Sequence, residues 1–399
     1  MKTTIKTLIA LLLVTNAFAI DRIVQENGPA GTFPTISAAI TAAVDGDRII
    51  IYPKIGDNPY IENITIDKSL EIASAQDAVR YKIQGNVIIT ALNNRTVSIV
   101  GAQLVSGSIS GASSGWRTNV NIMGCLLDGG DITFNNQYYT NIVSNILNNG
   151  SITISHGKII GNDMMNEERL ILINNSTSLT DDTMSIIANK VSRILCTSNI
   201  FLNIYNNFIK RTSVNYSTNA HSIEYSFVSS QNKLNIINNT IITPYSDTPS
   251  NSRAKYMYLA SPGIIKNNII QASAVNTSLY APNAAIVASG ISSSYNYFMN
   301  NVVAYSAFSA TDVGLTTIPT NQNTGQLILP TLAQNGADPS FEFYDLDLTA
   351  GDAGCYGGSY TLDNYFPITG SSRVYNIDMP FGITTTGAPL NIKADGFDR

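Results

Sequence analysis

The sequence predicts an all-β protein, a right-handed parallel β-helix with a short N-terminal capping helix and a C-terminal wrap. Three observations indicate this solenoid: a recurring strand–turn–strand phrase centred on Asn, an amphipathic helix before the first strand, and a Gly-rich closing segment. A phrase that returns unchanged while its period varies is typical of a solenoid with loops of variable length.

The Asn phrase has its clearest copies in the second half of the chain, at 204–209, 236–241, 265–270 and 298–303. Apolar residues alternate on both sides of each Asn pair, as expected for two short strands that bury one face. Weaker copies upstream have Gly124 and Gly161 at the turn, where a left-handed backbone favours Gly or Asn. We expect equivalent Asn side chains to hydrogen-bond from coil to coil. The predicted turn and ladder residues are Asn145, Asn162, Asn189, Asn207, Asn239, Asn268 and Asn301.

Residues 1–19 have the features of a secretory signal peptide. Lys2 and Lys6 precede an apolar run at 8–14, which is followed by the A-x-A sequence at 17–19. This order of basic, apolar and small-residue segments predicts cleavage after Ala19. We therefore expect a secreted or cell-surface protein with no transmembrane segment, because later apolar runs are too short to span a bilayer.

The remaining chain divides into a β-helix domain at 20–358, which includes the cap, and a capping tail at 359–399. Apolar residues at helical spacing between Pro34 and Asp45 predict a cap helix over 33–44. A helix at this place covers the hydrophobic end of the solenoid. Residues 48–305 then provide about ten or eleven coils, and the tail is expected to fold back over the open end.

The two ends of the chain resemble known β-helix proteins. FPTISAAI at 33–40, DGDRIII at 45–51 and YIENITIDKSLEI at 60–72 are similar to the opening coils of the pectin lyase-like class. DPSF at 338–341 and GCYGG at 354–358 resemble the closing segment of secreted β-helix proteins of Bacteroidetes-type bacteria. The resemblance implies the fold, whereas proteins of this class have many different activities.

The catalytic motifs of that class are not reproduced here. Polygalacturonases use N-T-D, D-D, G-H-G and R-I-K in that order, whereas this chain has His156-Gly157 before Asp181-Asp182 and lacks the other two. The motifs of pectin methylesterases are also missing. We expect a non-catalytic glycan-binding or surface-structural protein without a cofactor. The alternative is a polysaccharide lyase or glycoside hydrolase acting on an acidic polysaccharide, and a lyase would use a Lys or Arg base and often Ca²⁺.

The candidate ligand-binding residues are basic and aromatic side chains close to the long insertions at 163–182, 211–230 and 243–262. We expect these insertions to project from neighbouring coils and to wall off a shallow groove. The candidates are Lys158, Lys190, Arg193, Lys210, Arg211, Tyr256 and Tyr258. Cations would bind an anionic glycan and Tyr rings would stack on sugars. The alternative is that the charges are solvated and that the Tyr rings support one another across strands.

Charge and cysteine content limit the partners and metals. The chain carries a net charge of −5 with 13% charged residues, which makes nucleic acid a poor candidate ligand. Its three cysteines allow one disulfide at most, and their spacing gives no zinc site. The Asp residues at 345, 347 and 352 suit an edge strand with outward acids or a cation loop. We expect no metal site.

Overall fold

Successive coils stack in register into long parallel sheets, so the protein is a right-handed parallel β-helix, as predicted. Each coil passes through a twelve-stranded sheet, then a third sheet of short strands, then a ten-stranded sheet. The computed structural model describes residues 19–77, 79–112, 117–165, 169–174, 183–211, 221–243, 256–272, 286–288, 290–299, 309–368, 372–378 and 393–398.

The three sheets have the following bounds. The strands of the twelve-stranded sheet are Asp21–Val24, Arg48–Ile51, Leu70–Ser74, Arg95–Val100, Thr118–Met123, Tyr138–Val143, Gly157–Ile160, Thr183–Ile187, Phe201–Tyr205, Leu234–Ile237, Gly263–Lys266 and Ile291–Ser294. Those of the ten-stranded sheet are Ile64–Ile66, Val87–Thr90, Ile109–Ala112, Ile132–Thr133, Ile152–Ile154, Leu170–Ile173, Arg193–Cys196, Ile223–Tyr225, Met257–Leu259 and Ile286–Ala288. What we call the third sheet consists of two hydrogen-bonded parts, which isolated bridges of Asp163 to Ile146 and Lys190 connect. The five-stranded part is Tyr60–Ile61, Tyr81–Gln84, Ala102–Ser106, Leu126–Leu127 and Ile146–Leu147. The six-stranded part is Lys190–Val191, Phe208–Lys210, Thr240–Thr243, Ile269–Ala272, Tyr297–Met299 and Val313–Leu315.

The core is a stack of side chains that repeats from coil to coil. One inward position of the twelve-stranded sheet holds Ile in ten consecutive coils: Ile49, Ile72, Ile99, Ile122, Ile142, Ile159, Ile186, Ile204, Ile236 and Ile265. Each of these side chains is at most 3% exposed. β-Branched residues suit such a position because they pack well on a pleated surface. Inward burial therefore fixes the register of the sheet.

The predicted Asn ladder is present and has a direction. From Asn145 to Asn296, each ladder residue donates its backbone N–H and its Nδ2 to the Oδ1 of the next ladder residue, over 2.8–3.0 Å. The last acceptor is the Asp312 carboxylate, which takes both donors of Asn296 at 2.8 and 3.0 Å. The residue at the end of the ladder accepts hydrogen bonds and donates none to a further ladder residue. A carboxylate suits this position because it is a pure acceptor.

The last predicted ladder member, Asn301, lies outside the described residues. Among the described residues, the ladder continues from Asn268 to Asn296. The strand Tyr297–Met299 follows Asn296 directly, as Phe208–Lys210 follows Asn207. The phrase at 298–303 therefore has the residue types of the repeat, but its first residues lie in the strand Tyr297–Met299, after the turn.

The turn and ladder roles belong to different members of each Asn pair. Asn206, Asn238 and Asn267, which precede ladder residues, have φ values of 55–57°. Gly124 and Gly161 occupy the same left-handed position with φ values of 62° and 64°, as predicted. The first residue of the pair therefore makes the turn, and the second builds the ladder.

The cap helix is shorter than predicted, at Ile36–Ala42 instead of 33–44. Thr35 Oγ1 accepts from the Ala38 N–H at its start, which is a regular N-cap. The Glu62 carboxylate of the first coil also accepts the Ile36 and Ser37 N–H groups, both at 2.9 Å. The helix is thus fastened to the coil it covers. Among the described helices, none is long and apolar enough to cross a membrane.

The C-terminal wrap, residues 338–366, lies along the flank of the coils. The Cys355 N–H donates to Thr240 Oγ1 at 3.0 Å, and Tyr365 packs near Gly161, several coils towards the N-terminus. The expectation that the tail folds over the open end is therefore wrong for residues 359–366. They cover an outer apolar stripe of the twelve-stranded sheet instead, which includes Ile160 and Ile187. Further on, Ser372–Asp378 pairs antiparallel with Lys393–Asp398.

Candidate functional site

The seven predicted ligand-binding residues do not line one groove. Lys158 lies in the twelve-stranded sheet, Lys190 and Lys210 lie in the third sheet, and Arg193 and Tyr258 lie in the ten-stranded sheet. Tyr256 and Arg211 are only 2% and 4% exposed, so they are buried and their predicted role as surface contacts is wrong. The three strands of one coil face different directions, and residues close in sequence are therefore separated.

Lys190 and Lys210 contact the segments that follow the coiled body. The Lys190 ammonium lies 4.1 Å from the centre of the Phe366 ring, within cation–π range. Lys210 Nζ donates to Asn323 Oδ1 at 3.0 Å. Both amines thus help to hold C-terminal segments against the third sheet.

Arg193 and Tyr258 meet on the ten-stranded sheet, together with two residues that the sequence did not single out. The Arg193 guanidinium donates to Glu224 Oε2 at 2.7 Å and to the His221 carbonyl at 3.0 Å. The His221 ring stacks on Tyr258 with 5.4 Å between centroids and an 18° angle between planes. Arg193 is engaged with the protein and one Tyr258 face is covered, so this cluster mainly stabilises the corner between coils.

The outer face of the twelve-stranded sheet carries a different, continuous arrangement, which we call the polar row. Strand register places one half-buried polar side chain of each coil directly above the next: Ser98, Asn121, Asn141, Lys158, Ser185, Asn203 and Asn235. Neighbouring coils are about 4.8 Å apart, so the row extends about 30 Å along the helix axis. Among the predicted candidates, only Lys158 belongs to it.

Hydrogen bonds within the polar row fix the orientation of its amides. Asn121 Nδ2 donates to Ser98 Oγ at 3.0 Å, and Asn141 Nδ2 donates to Asn121 Oδ1 at 2.9 Å. Asn235 Nδ2 donates in the same way to Asn203 Oδ1 at 2.9 Å. An amide has two N–H donors and an oxygen with two lone pairs, so one bond to a neighbour leaves capacity for a ligand. The row therefore presents preoriented donors and acceptors.

Aromatic side chains border the polar row on both sides. Tyr205 stacks on Tyr360 of the C-terminal wrap, with ring centres 6.2 Å apart, and hydrogen-bonds the side chain of Asn235. Burial raises the pKa of Tyr205 to about 12, so its hydroxyl stays protonated at neutral pH. On the opposite side, Tyr139 is 38% exposed and Phe201 lies under the Lys233 ammonium. A row of polar side chains with aromatic side chains on both sides suits a ligand that has both hydroxyl groups and apolar faces.

A sequence signal for the polar row existed. Asn121, Asn141, Asn203 and Asn235 each lie directly before an inward Ile and four residues before the position of the inner ladder. This Asn-Ile pair recurs at the same position of the repeat. The Asn pairs of the ladder are easier to recognise in the sequence, so the polar row was missed.

The seven residues of the polar row include no Asp or Glu, and Lys158 is their one charged side chain. At its N-terminal end the same row of strand positions continues through Asp21, Arg48 and Glu71, and Arg48 lies 3.8 Å and 3.3 Å from the two carboxylates. Glycoside hydrolases require two carboxyl groups flanking the bond that breaks. The seven residues of the polar row do not provide such a pair.

Metal ligands do not converge in the described ranges, where no group of three or more His, Cys, Asp or Glu side chains is placed to hold an ion. Cys125, Cys196 and Cys355 are buried and form no disulfide with one another. The Ca²⁺ of a lyase stays a prediction. The edge strand with outward acids that was expected around Asp345 and Asp347 is wrong, because the chain turns there and forms no strand.

That turn is organised by Asp345. Its carboxylate accepts the Gly358 N–H at 2.7 Å and the Asp352 N–H at 3.1 Å. Burial raises the pKa of Asp345 to about 6, although these hydrogen bonds act in the opposite direction. The ordinary pKa of Asp is about 3.9, so folding favours the protonated carboxyl group.

Asp345→Asn tests this assignment. A raised pKa in the folded state gives stability that is complete below about pH 4 and is lost as the pH rises through about 6. We expect Asp345→Asn to remove this loss. Its free energy of unfolding at pH 8 should exceed that of the wild type by about 1–2 kcal/mol, so it should melt at a higher temperature. Thermal melting between pH 4 and pH 8 measures it, with Asp347→Asn as the exposed control in the same turn. Parallel melting profiles for Asp345→Asn and the wild type would show that Asp345 titrates normally.

The sequence matches no protein-family model and no curated protein.

Proposed function

We propose that this protein is a secreted or cell-surface β-helix that binds a glycan along the polar row without cleaving it. The observation that carries the proposal is the polar row itself, a straight array of preoriented amide, hydroxyl and ammonium groups on an accessible sheet face. The phrases at 33–72 support membership in the pectin lyase-like class, and the segments at 338–341 and 354–358 support a Bacteroidetes-type origin.

An extended glycan fits the polar row by its repeat and by its chemistry. The coil spacing of about 4.8 Å is close to the length of one sugar unit, so a chain along the axis meets an equivalent side chain at each unit. Sugar hydroxyls both donate and accept hydrogen bonds, and Asn side chains do the same. Lys158 adds one cation for a uronate carboxylate, and Tyr139 and Tyr205 offer aromatic contacts at the edges.

The second candidate function is a polysaccharide lyase, and Lys158 is the residue that favours it. Lys158 lies within the polar row between Asn141 and Ser185, where a bound acidic glycan would pass. A lyase needs a base to abstract a proton beside the carboxylate, and Lys performs this task when its pKa is lowered. Such an enzyme would also need Ca²⁺ or further cations to neutralise the substrate acid group.

Incubation with pectate, alginate, chondroitin and hyaluronan, with and without Ca²⁺, separates the two candidates. We expect at least one glycan to bind and no glycan to be cut. Unsaturated ends released by the wild type but not by Lys158→Ala would establish a lyase. New reducing ends without unsaturation would establish a hydrolase. Absence of binding to all four glycans would exclude both proposals.

The double variant Asn121→Ala/Asn141→Ala tests the location of binding. Each lost hydrogen bond is worth about 0.5–1.5 kcal/mol, so we expect the affinity for the bound glycan to fall roughly 10- to 100-fold. The matched control is Thr133→Ala/Thr153→Ala, which removes two stacked polar side chains from the outer face of the ten-stranded sheet. Isothermal titration calorimetry should show unchanged affinity for the control. Equal losses in both variants would contradict the proposed site.

A further inference from the structure

A buried carboxylate stands at the point where the mature chain is predicted to begin. The Asp47 side chain is 0% exposed and accepts three hydrogen bonds. Its Oδ1 accepts the Ile20 N–H at 3.0 Å, and its Oδ2 accepts the Val44 N–H at 3.0 Å and Arg22 Nε at 2.9 Å. Asp47 thus joins the residue after the predicted cleavage site, the first strand and the end of the cap helix.

Cleavage would change the chemistry of one of these three donors. Hydrolysis of the Ala19–Ile20 peptide bond by a signal peptidase adds one water molecule, leaving a carboxylate on Ala19 and an α-amine on Ile20. An α-amine has an ordinary pKa of about 7.7–8.0, so it takes up a proton at neutral pH. The neutral amide that donates to Asp47 thereby becomes an ammonium group at the same position.

We propose that signal-peptide removal is a maturation step in which the new α-ammonium of Ile20 forms an ion pair with the buried Asp47 carboxylate. The proposal is independent of glycan binding. The amine needs little movement, because the Ile20 carbonyl already accepts the Arg48 N–H at 3.1 Å and holds this residue against the sheet. A charge-assisted bond is roughly twice as strong as a neutral one, and the buried position of the Asp47 carboxylate reduces its screening by salt.

The surroundings keep Asp47 ionised and able to accept a cation. Burial alone would raise the pKa of Asp47, but the hydrogen bonds from Val44, Ile20 and Arg22 hold it below its usual value. Other charged groups nearby already have partners. Arg48 pairs with Asp21 and Glu71, and the Asp45 carboxylate accepts the Ser69 N–H at 2.6 Å.

The consequence concerns the N-terminal edge of the solenoid. The strand Asp21–Val24 is the first of the twelve-stranded sheet and pairs with Arg48–Ile51. An edge strand that frays would expose unpaired backbone groups to other chains. The ion pair fastens the beginning of this strand only after processing, so the exported form is expected to be more stable than the precursor.

The experiment compares two full mature chains that differ by one residue, one beginning at Ile20 and one at Ala19. The longer chain retains the neutral N–H of Ile20 and carries its ammonium one residue further away, so it is expected to fold in the same way. We expect N-terminal sequencing of the exported protein to give Ile20. We expect the Ile20 form to melt at the higher temperature at pH 7.

The pH dependence has a definite sign. Asp47 raises the pKa of the folded α-amine, so its stabilisation is complete below the ordinary value of about 8 and is lost as the pH rises further. The melting temperatures of the two forms should therefore converge towards about pH 10. NMR titration of the ¹³C-dimethylated α-amine should give a raised pKa in the Ile20 form only. A different exported N-terminus, superimposable melting profiles or equal amine pKa values would each overturn the proposal.

Discussion

Replacing Asn207 by Ala is expected to lower the free energy of unfolding by about 2–4 kcal/mol. The Asn207 Oδ1 atom accepts the backbone N–H and Nδ2 of Asn189, at 2.9 and 3.0 Å. Its own Nδ2 lies within hydrogen-bonding distance of Asn239 Oδ1 and of two carbonyl oxygens. Ala would leave several buried polar groups without partners, and each such group costs more than a hydrogen bond contributes.

Asn203→Ala is the matched control in the adjoining strand. Asn203 accepts one hydrogen bond from Asn235 on the half-exposed outer face, where water can replace the lost partner. We expect this variant to lose less than about 1 kcal/mol. Urea unfolding monitored by circular dichroism measures both variants. Equal losses would mean that the inner ladder contributes no more than an ordinary surface amide.

Gly130→Ala is expected to have the second large effect, a loss of about 3 kcal/mol or more. A Cβ atom at Gly130 would lie 1.8 Å from the Gly107 carbonyl oxygen in the preceding coil. The next coil repeats this contact, because a Cβ at Gly150 would lie 1.8 Å from the Gly130 carbonyl oxygen. The backbones of stacked coils meet here without room for a side chain, so at least two coils would have to move apart.

A variant at the neighbouring Gly129 is the control that distinguishes steric crowding from backbone strain. Gly129 has a φ of 96°, but a Cβ there would meet nothing within 4 Å. Gly129→Ala should therefore cost only the strain of a left-handed backbone, about 1–2 kcal/mol. The same urea experiment compares the two variants. A larger loss for Gly129→Ala than for Gly130→Ala would contradict close stacking of the coils at this corner.

The sequence predicted the parts of the fold that depend on local repetition. The inner ladder from Asn145 to Asn268 followed from the phase of Asn between apolar strands, because turn and ladder positions keep a fixed distance from inward residues. The same rule selected Asn301, which lies outside the described residues, as the next member. The sequence has two Asn residues between apolar neighbours at 298–303, which resembles the repeat. In the structure, the chain turns at Tyr295, and Asn296 is the next ladder residue.

The candidate site was harder to predict, because coil boundaries decide which sheet a residue belongs to. Tyr256 and Tyr258 are two residues apart, yet the first is buried and the second lies on the outer face of the ten-stranded sheet. Lys158 and Lys190 lie on different sheets for the same reason. Only strand register aligns Asn121, Asn141, Asn203 and Asn235 into one row.

The length dependence of glycan affinity tests most directly the proposal that the polar row is the binding site. A glycan that binds along the row gains one set of contacts with each added sugar, until the oligomer reaches the end of the row at about 30 Å. Calorimetric titration with a size series of the best-bound glycan should therefore show affinity that rises with length and then levels off, with the rise reduced in Asn121→Ala/Asn141→Ala. An affinity already maximal for a disaccharide would place binding in a single small pocket and contradict the account.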